Sequence, residues 1–385
     1  MRTFLICILS SLFLASAAFA DETERLKSQL EAAGENRREL LTALEKIPED
    51  EREGLVFLIE NMPERDLRSL TADYLLENCS LAYRAWREAP WKEKAPKEIF
   101  LNEILPYACV NEKRDNWRKD FYERFSPLVK DAKSASEAAT ILNQKVFAIV
   151  NVKYSTARPK ADQSPIESIE AGIASCSGLS ILLIDACRAV GVPARFVGTP
   201  RWSDNSGNHS WVEIWDNGWH FTGACEPTDN RLNDAWFVGR AAGAKRDDRM
   251  YAIYASSFRR TPLSFPLVWD RRNQDVAAVN VTDRYTNLGK PIPEGHKQIY
   301  FRVTSGQRER IRADLKLFDA SGAEIWTGVS NDERFDANDH AGTPLKIGEK
   351  FKVEARHGDQ TATAEFEVAA EGKNVVDLTL PPNAK

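Results

Sequence analysis

Three side chains in the middle of the sequence have the types and the order that cysteine acyl-transfer chemistry needs. The thiol of Cys176 is followed by the imidazole of His209 and then by the carboxylate of Glu226. A thiol attacks a carbonyl carbon as its thiolate, an imidazole can exchange a proton with it, and a carboxylate can orient the imidazole. The three residues are therefore candidates for one catalytic site, provided that the fold brings them together.

The run from Ser175 to Val190 predicts a helix inside a domain, because it is apolar almost all round. Gly191, just after the run, is typical of a helix end, and Ser175 is typical of an N-cap. Cys176 then lies in the first turn, where free backbone N–H groups and the helix dipole favour a thiolate. The alternative is a buried structural cysteine, and Cys187 in the middle of the helix fits that interpretation better than Cys176 does.

His209 and Glu226 can meet across a hairpin. Residues 209–215 alternate like a strand, the Asn-Gly pair that follows is typical of a two-residue turn, and a return strand begins at Trp219. This register places Glu226 directly opposite His209, with a Cβ separation of roughly 4.5–5.5 Å. A slip of one residue would instead place Cys225 opposite His209 and turn Glu226 to the other face.

Other residues compete for the imidazole and carboxylate roles. The same register pairs His220 with Trp215 as an aromatic contact, which makes His209 the better candidate for the imidazole. We favour Glu226 for the carboxylate because the register places it opposite His209. The carboxylates that compete with it are those of Glu213, Asp229 and Asp234.

The segments around these residues resemble those of the transglutaminase-like superfamily of papain-related cysteine enzymes. The resemblance covers residues 140–240 and rests on three stretches in the same order and spacing: AGIASCSGLSILLIDACRAVGVPARFVGTP, GNHSWVEIW and GWHFTGACEPT. It implies a papain-like α+β core in which Cys176 is the nucleophile and His209 is the general base and acid. It also implies that Glu226 takes the place of the usual aspartate, which is a shorter residue.

An enzyme of this kind would act on amide bonds of protein or peptide substrates, as a peptidase, a deamidase or an amide transferase. We expect backbone donors at the helix start to stabilise the oxyanion, with Gln163 as a candidate second donor. Trp202 lies in a polar loop just before His209 and is a candidate for lining a substrate groove. The alternative is a non-catalytic binding or scaffold protein on the same fold.

The sequence predicts neither a cofactor nor a metal. A zinc site built from Cys176, Cys187, Cys225 and His209 is the rival interpretation, but it lacks the closely paired cysteines that structural zinc sites show. The chain has 52 Lys and Arg against 57 Asp and Glu, a formal net charge of −5. Without a basic excess or patch, nucleic acid is not an expected partner.

Residues 1–20 have the pattern of a secretory signal peptide that is cleaved near Ala20. No later run is apolar for long enough to span a membrane, so we expect an exported protein, periplasmic or extracellular. In an oxidising compartment the cysteines that remain suit one free catalytic thiol and up to two disulfides. The preferred pair is Cys79 with Cys109, and Cys187 with Cys225 is a weaker second pair.

The composition changes along the chain and predicts four parts after the signal peptide. Residues 21–135 have Leu, Glu, Lys and Arg at helical spacing, and residues 136–262 hold the candidate catalytic core. Residues 263–290 are interpreted as a linker strand, and residues 291–385 contain short alternating strands that predict an Ig-like or carboxypeptidase-regulatory-like β-sandwich. That sandwich could bind carbohydrate or protein, or brace the core. The predicted fold class is α+β.

Overall fold

The computed structural model describes residues 24, 26–289 and 292–382, so the predicted signal peptide lies outside the described residues. We number helices α1–α12 and strands β1–β15 in chain order. The helices are Lys27–Ala32, Arg37–Lys46, Arg52–Asn61, Glu64–Leu67, Ala72–Glu88, Lys97–Glu103, Arg118–Val129, Ala135–Ile149, Pro165–Ala171, Cys176–Ala189, Val238–Ala241 and Thr282–Thr286. The strands are Lys153–Tyr154, Ile173–Ala174, Ala194–Thr199, His209–Trp215, Trp219–Thr222, Tyr254–Ser257, Leu263–Ser264, Ala277–Asn280, His296–Thr304, Asp314–Phe318, Glu324–Val329, Gly342–Lys346, Lys350–His357, Gln360–Glu367 and Val375–Thr379.

Helices α1–α6 form a region of their own before the core. Their apolar residues recur at helical spacing, and the side chains of Leu30, Leu40 and Leu44 are buried in one apolar cluster. Thr71 caps α5, because its hydroxyl accepts a hydrogen bond of 3.2 Å from the backbone N–H of Tyr74. The predicted helical character of the N-terminal region is confirmed, whereas Phe121 and Phe125 of α7, also within the predicted residues 21–135, are buried in the other large apolar cluster with α10.

Helix α10 lies at the centre of a second apolar cluster, as its composition predicts. All of its residues after Cys176 are buried, and it packs against α7, α8, β3 and β4. Its two charged residues, Arg188 and Asp185, both form buried hydrogen bonds, but Oδ2 of Asp185 has no hydrogen-bond partner among the described residues. Arg188 donates to the backbone carbonyl of Ala108 at 2.8 Å, and Asp185 accepts from the thiol of Cys109 at 3.6 Å.

A six-stranded antiparallel sheet in the order β5-β4-β3-β6-β8-β7 packs on this helix. Alternate residues of β4 face opposite sides of the sheet. Val212 and Ile214 belong to the cluster around α10, whereas Trp211 belongs to another apolar cluster with Phe237. Residues 263–290, interpreted from the sequence as a linker strand, supply β7 and β8 to this sheet.

The pairing of β4 with β5 is shifted by one residue from the predicted register. Trp215 pairs with Trp219, so the turn contains three residues instead of two, and His220 no longer lies opposite Trp215. Two residues of this turn have positive φ angles, which such turns require. The ladder ends before it reaches His209. The prediction that Glu226 pairs with His209 across the ladder is therefore wrong.

The cysteines of the described residues are all free thiols, so neither predicted disulfide is formed. Cys79 is buried in the N-terminal apolar cluster, whereas Cys109 is buried in the cluster around α10. Cys187 lies in the middle of α10 and is buried, while Cys225 lies in a turn and is partly exposed. The first predicted pair is thus divided between two apolar clusters, whereas Cys187 and Cys225 contact the same cluster without forming a bond.

Strands β9–β15 form two sheets that share one apolar cluster. One sheet has the order β11-β10-β13-β14 and the other has the order β12-β9-β15. Alternate residues point into the cluster, such as Phe301 and Val303 in β9 and Leu315 and Leu317 in β10. The predicted α+β class, with its helical region, core and β-sandwich, is confirmed. Among the described residues, no helix has the length and apolar character needed to cross a membrane.

Candidate active site

Cys176 is the first residue of α10 and is partly exposed. The Oγ of Ser175 caps the helix by accepting hydrogen bonds from the backbone N–H groups of Ser177 and Gly178, at 3.1 and 3.2 Å. The cap fixes where the helix begins and so fixes the position of the thiol. The predicted N-cap is confirmed.

His209 is the first residue of β4, and it is 1% exposed. A hydroxyl pair connects the strand to the helix, because Ser177 Oγ lies 3.1 Å from Ser210 Oγ. Ser177 directly follows Cys176, and Ser210 directly follows His209. The contact therefore holds the start of α10 beside the start of β4, with the thiol and the imidazole next to it.

Aromatic rings surround the imidazole of His209. The ring centroids of Trp236, Phe237 and Trp202 lie 4.8, 5.0 and 6.2 Å from that of the imidazole. Trp202 is only 2% exposed and stacks on Trp211 with 6.1 Å between centroids. It therefore packs in the interior against His209 and Trp211. The prediction that Trp202 lines a substrate groove is not supported, because its side chain is buried.

Glu226 reaches His209 from a turn that follows β5. Its Oε2 lies 4.0 Å from Nε2 of His209 and accepts a hydrogen bond of 2.9 Å from the indole N–H of Trp236. The turn needs a positive φ of 65° at Cys225 and a close approach at Gly223, where a Cβ would lie 2.1 Å from Oε2. The carboxylate thus lies at the predicted imidazole, although a turn and not strand pairing brings it there.

A second carboxylate, absent from the candidates in the sequence, lies at the same imidazole. Asp336 is in the loop between β11 and β12 of the sandwich, is 2% exposed, and places its Oδ2 3.5 Å from Nδ1 of His209. Its Oδ1 accepts hydrogen bonds from the backbone N–H and the side-chain amide of Asn338, at 2.9 and 3.1 Å. The local sequence NDERFDANDH offers little signal, because Asp and Asn are also typical of an ordinary solvated loop.

The loop that carries Asp336 docks on the core through two further hydrogen bonds. The side-chain amide of Asn338 donates to the backbone carbonyl of Asn208 at 2.9 Å, directly before β4. The backbone N–H of Ala337 donates to the hydroxyl of Tyr154, also at 2.9 Å. The sandwich therefore contributes a residue to the site around the imidazole.

The thiol lies on the same side of the imidazole as Asp336. The sulfur of Cys176, a ring nitrogen of His209 and a carboxylate oxygen of Asp336 all lie within 4.8 Å of one another. A group that faces Nδ1 and a group that faces Nε2 of the same imidazole point away from each other, so they would lie farther than 4.8 Å apart. Asp336 faces Nδ1, so we infer that the sulfur also lies on the Nδ1 side of the ring, whereas Glu226 lies at the Nε2 edge. The imidazole thus stands between the thiol and Glu226.

The charges around the imidazole shift its pKa and those of its neighbours. Burial alone would lower the pKa of His209, but the Asp336 carboxylate and the Cys176 sulfur raise it well above its ordinary value. Burial would raise the pKa of Asp336, but the charge of His209 holds it below its ordinary value. Burial raises the pKa of Glu226 to about 8, against the charge of His209 and together with that of Asp336. Near neutral pH, an imidazolium paired with Asp336 therefore faces a largely protonated Glu226.

Two other predicted candidates are engaged elsewhere. Glu213 is fully buried and is held by Arg195 with a nitrogen–oxygen distance of 2.6 Å. Gln163 is buried, and its side-chain amide donates to the backbone carbonyls of Glu167 and Ile173, at 3.3 and 3.0 Å. Those bonds take the N–H groups that the predicted oxyanion role would need, so the structure does not support that role.

The sequence matches the family model described as the transglutaminase-like superfamily over residues 124–223. Among solved structures, the chain is similar to a candidate cysteine protease from Cytophaga hutchinsonii, with 17% identity and a TM-score of 0.25 over 29% of this chain and 38% of that chain. It is also similar to red sea bream transglutaminase, with 8% identity and a TM-score of 0.30 over 73% of this chain and 66% of that chain. No curated protein matches the sequence. Residues 124–223, which contain Cys176 and His209, belong to the transglutaminase-like superfamily.

Proposed function

We propose that this chain is an exported cysteine enzyme that transfers acyl groups from amide bonds of protein or peptide substrates. The observation that carries the proposal is the order of groups along one imidazole. The sulfur of Cys176 lies within 4.8 Å of a ring nitrogen of His209, on the side that we infer to be Nδ1, and Oε2 of Glu226 lies 4.0 Å from Nε2. In this order a proton can move between sulfur, imidazole and substrate while the carboxylate keeps the ring oriented.

In the first half of the reaction, the Cys176 thiolate attacks the amide carbonyl carbon and a carbon–sulfur bond forms. The backbone N–H of Cys176 donates a hydrogen bond to the oxyanion. The next two N–H groups of α10 already donate to Oγ of Ser175 and are not free for this role. The carbon–nitrogen bond then breaks, and the His209 imidazolium gives its proton to the departing amine. In the second half, water or another amine attacks the thioester, His209 takes its proton, and the sulfur leaves as thiolate.

Glu226 stabilises the imidazolium from the Nε2 edge, and the indole N–H of Trp236 holds the carboxylate in place. The 4.0 Å between Nε2 and Oε2 exceeds the length of a charge-assisted hydrogen bond, about 2.7–2.9 Å. Asp336 competes for the same imidazolium at Nδ1, beside the sulfur. We therefore propose that the reactive form has Asp336 withdrawn and Glu226 drawn up to Nε2.

The pH dependence of kcat/KM should report the ionisation of Glu226. Only the ionised carboxylate stabilises the imidazolium, so kcat/KM is expected to rise with pH through about 8, as Glu226 loses its proton. The negative charge of Asp336 raises that pKa, so Asp336→Asn should move the midpoint of the rise to lower pH. Asp359→Asn, at an exposed turn of the sandwich, is the matched control and should leave the midpoint in place. A midpoint that stays fixed or rises in Asp336→Asn would contradict the assignment.

The proposed activity is tested by incubating the full mature chain with a library of peptides and an amine donor, and identifying the products by mass spectrometry. Peptide cleavage, side-chain deamidation and amine incorporation give different mass changes, so one experiment separates the three reactions. We expect products with the wild type and with Cys225→Ser, which alters the other partly exposed thiol, and none with Cys176→Ser. Turnover that survives Cys176→Ser would refute the proposal, and no turnover by any variant would favour a binding protein on this fold.

A further inference from the structure

Three different metal-binding side chains converge beside the candidate nucleophile. They are the thiol of Cys176 at the start of α10, the imidazole of His209 at the start of β4, and the carboxylate of Asp336 in a loop of the sandwich. One donor atom from each lies within 4.8 Å of the other two. A thiolate, an imidazole and a carboxylate are the three kinds of protein ligand that Zn²⁺ accepts.

The spacing of these atoms fits a metal ion better than it fits a direct hydrogen bond. Nδ1 of His209 and Oδ2 of Asp336 are 3.5 Å apart, whereas a charge-assisted hydrogen bond would bring them to about 2.7–2.9 Å. Bonds of about 2.0–2.2 Å from a tetrahedral Zn²⁺ to nitrogen and oxygen place those two atoms about 3.4 Å apart. Both ring nitrogens of His209 are also buried without a hydrogen-bond partner. We infer that Cys176, His209 and Asp336 form a Zn²⁺ site that joins the sandwich to the core.

The groups behind these ligands are placed as supports for a metal site. Asp336 is fixed through Oδ1 by two hydrogen bonds from Asn338, which leaves Oδ2 to face the metal. With Nδ1 bound to the metal, Nε2 carries the ring proton, and Glu226 is the carboxylate on that side, held by Trp236. A carboxylate behind a metal-bound histidine fixes the ring and strengthens it as a ligand. A water completes the four ligands from the partly exposed side at Cys176.

Binding of Zn²⁺ would switch the proposed enzyme off. The metal binds Cys176 as thiolate and the unprotonated Nδ1 of His209, so metal binding competes with protons. The sulfur and the imidazole are then both occupied and cannot attack an amide, and Asp336 holds the sandwich loop over them. Metal binding needs only the three side chains, whereas this inhibition rests on the proposed function.

The site is tested by competition between the metal-free full chain and a chromogenic Zn²⁺ chelator. We expect one Zn²⁺ per wild-type chain and an affinity that falls more than about 100-fold in Cys176→Ser and in Asp336→Asn, because even the loss of an outer partner typically costs 10–100-fold. The matched controls are Cys225→Ser and Asp339→Asn, which alter a nearby thiol and a nearby carboxylate outside the three ligands. Both should bind Zn²⁺ like the wild type, and circular dichroism should show that every variant is folded.

Substitution of Co²⁺ gives an independent measurement, because a thiolate ligand adds a charge-transfer absorption in the near ultraviolet. That band should appear with the wild type, disappear in Cys176→Ser and remain in Cys225→Ser. The inference is overturned if the wild type binds Zn²⁺ no more tightly than Cys176→Ser does, or if Asp336→Asn binds it as the wild type does. Amide turnover without Zn²⁺ binding would refute the metal site alone, and Zn²⁺ binding without turnover would refute the proposed activity alone.

Discussion

Replacing Glu226 with glutamine is expected to lower kcat by about 10³- to 10⁴-fold, the size of effect seen when the orienting carboxylate of a catalytic triad is made neutral. Glutamine keeps the shape of the side chain, and its carbonyl oxygen can still accept the hydrogen bond from Trp236. It cannot stabilise an imidazolium at Nε2 of His209. The measurement is kcat on a peptide amide identified by the product survey, at pH about 9 where Glu226 is ionised in the wild type, with a chelator present to keep the site free of metal.

The matched comparison is Asp336→Asn, which neutralises the other carboxylate at the same imidazole. Asp336 lies on the sulfur side of the ring, so its loss should leave kcat within about tenfold of wild type, far from the loss expected for a triad member. If Asp336→Asn lowered kcat more than Glu226→Gln does, the orienting carboxylate would be Asp336 of the sandwich loop, and Glu226 would have no role in catalysis.

The largest expected effect on stability comes from Glu213→Ala. Glu213 is fully buried, accepts hydrogen bonds from Arg195 at 2.6 Å and from the hydroxyl of Tyr285 at 2.8 Å, and also pairs with Arg284. Removing it leaves the Arg195 guanidinium buried without its main partner. Breaking a buried ion pair in this way typically costs about 3–5 kcal/mol, so the unfolding transition of the core should occur at clearly lower urea concentration and temperature.

Glu324→Ala is the control for that stability measurement. Glu324 pairs with Lys316 at 2.8 Å, but both side chains are exposed on the sandwich. Water screens such a pair, so its loss should not measurably shift the transition. If Glu213→Ala unfolded at the same denaturant concentration as Glu324→Ala, the buried ion pair would not be a determinant of stability.

The parts of the site that the sequence predicts well are those with a local signal. The apolar run after Ser175 and its N-cap define the start of α10, and alternation defines β4 from His209 onward. The prediction for Glu226 is right about its neighbour and wrong about the turn. The predicted two-residue turn is wrong, yet the carboxylate still reaches the imidazole, because the positive φ of Cys225 bends the chain back after β5. A conformation of this kind at a non-glycine residue has no reliable signature in one sequence.

The parts that the sequence predicts poorly depend on contacts between distant segments. Trp202 looks exposed in its polar loop, but it stacks on Trp211 and is buried. Asp336 reaches His209 only because the sandwich docks on the core, and periodicity within either segment carries no information on that docking. The pairing of β7 and β8 into the core sheet, in a stretch interpreted from the sequence as a linker strand, also depends on contacts between distant segments.

If the imidazole of His209 activates the sulfur of Cys176, iodoacetamide should alkylate Cys176 faster than the other cysteines. Mass spectrometry of digests would give the rates for Cys176 and Cys225, the two partly exposed thiols, at pH about 6. The thiolate is the form that reacts, and burial raises the pKa of Cys225 to about 11, so Cys225 should react very slowly at this pH. We expect Cys176 to be labelled much faster than Cys225, and His209→Asn to slow the labelling of Cys176 itself by at least about 100-fold. Equal rates for the two thiols, or a fast rate at Cys176 that persists in His209→Asn, would contradict this expectation.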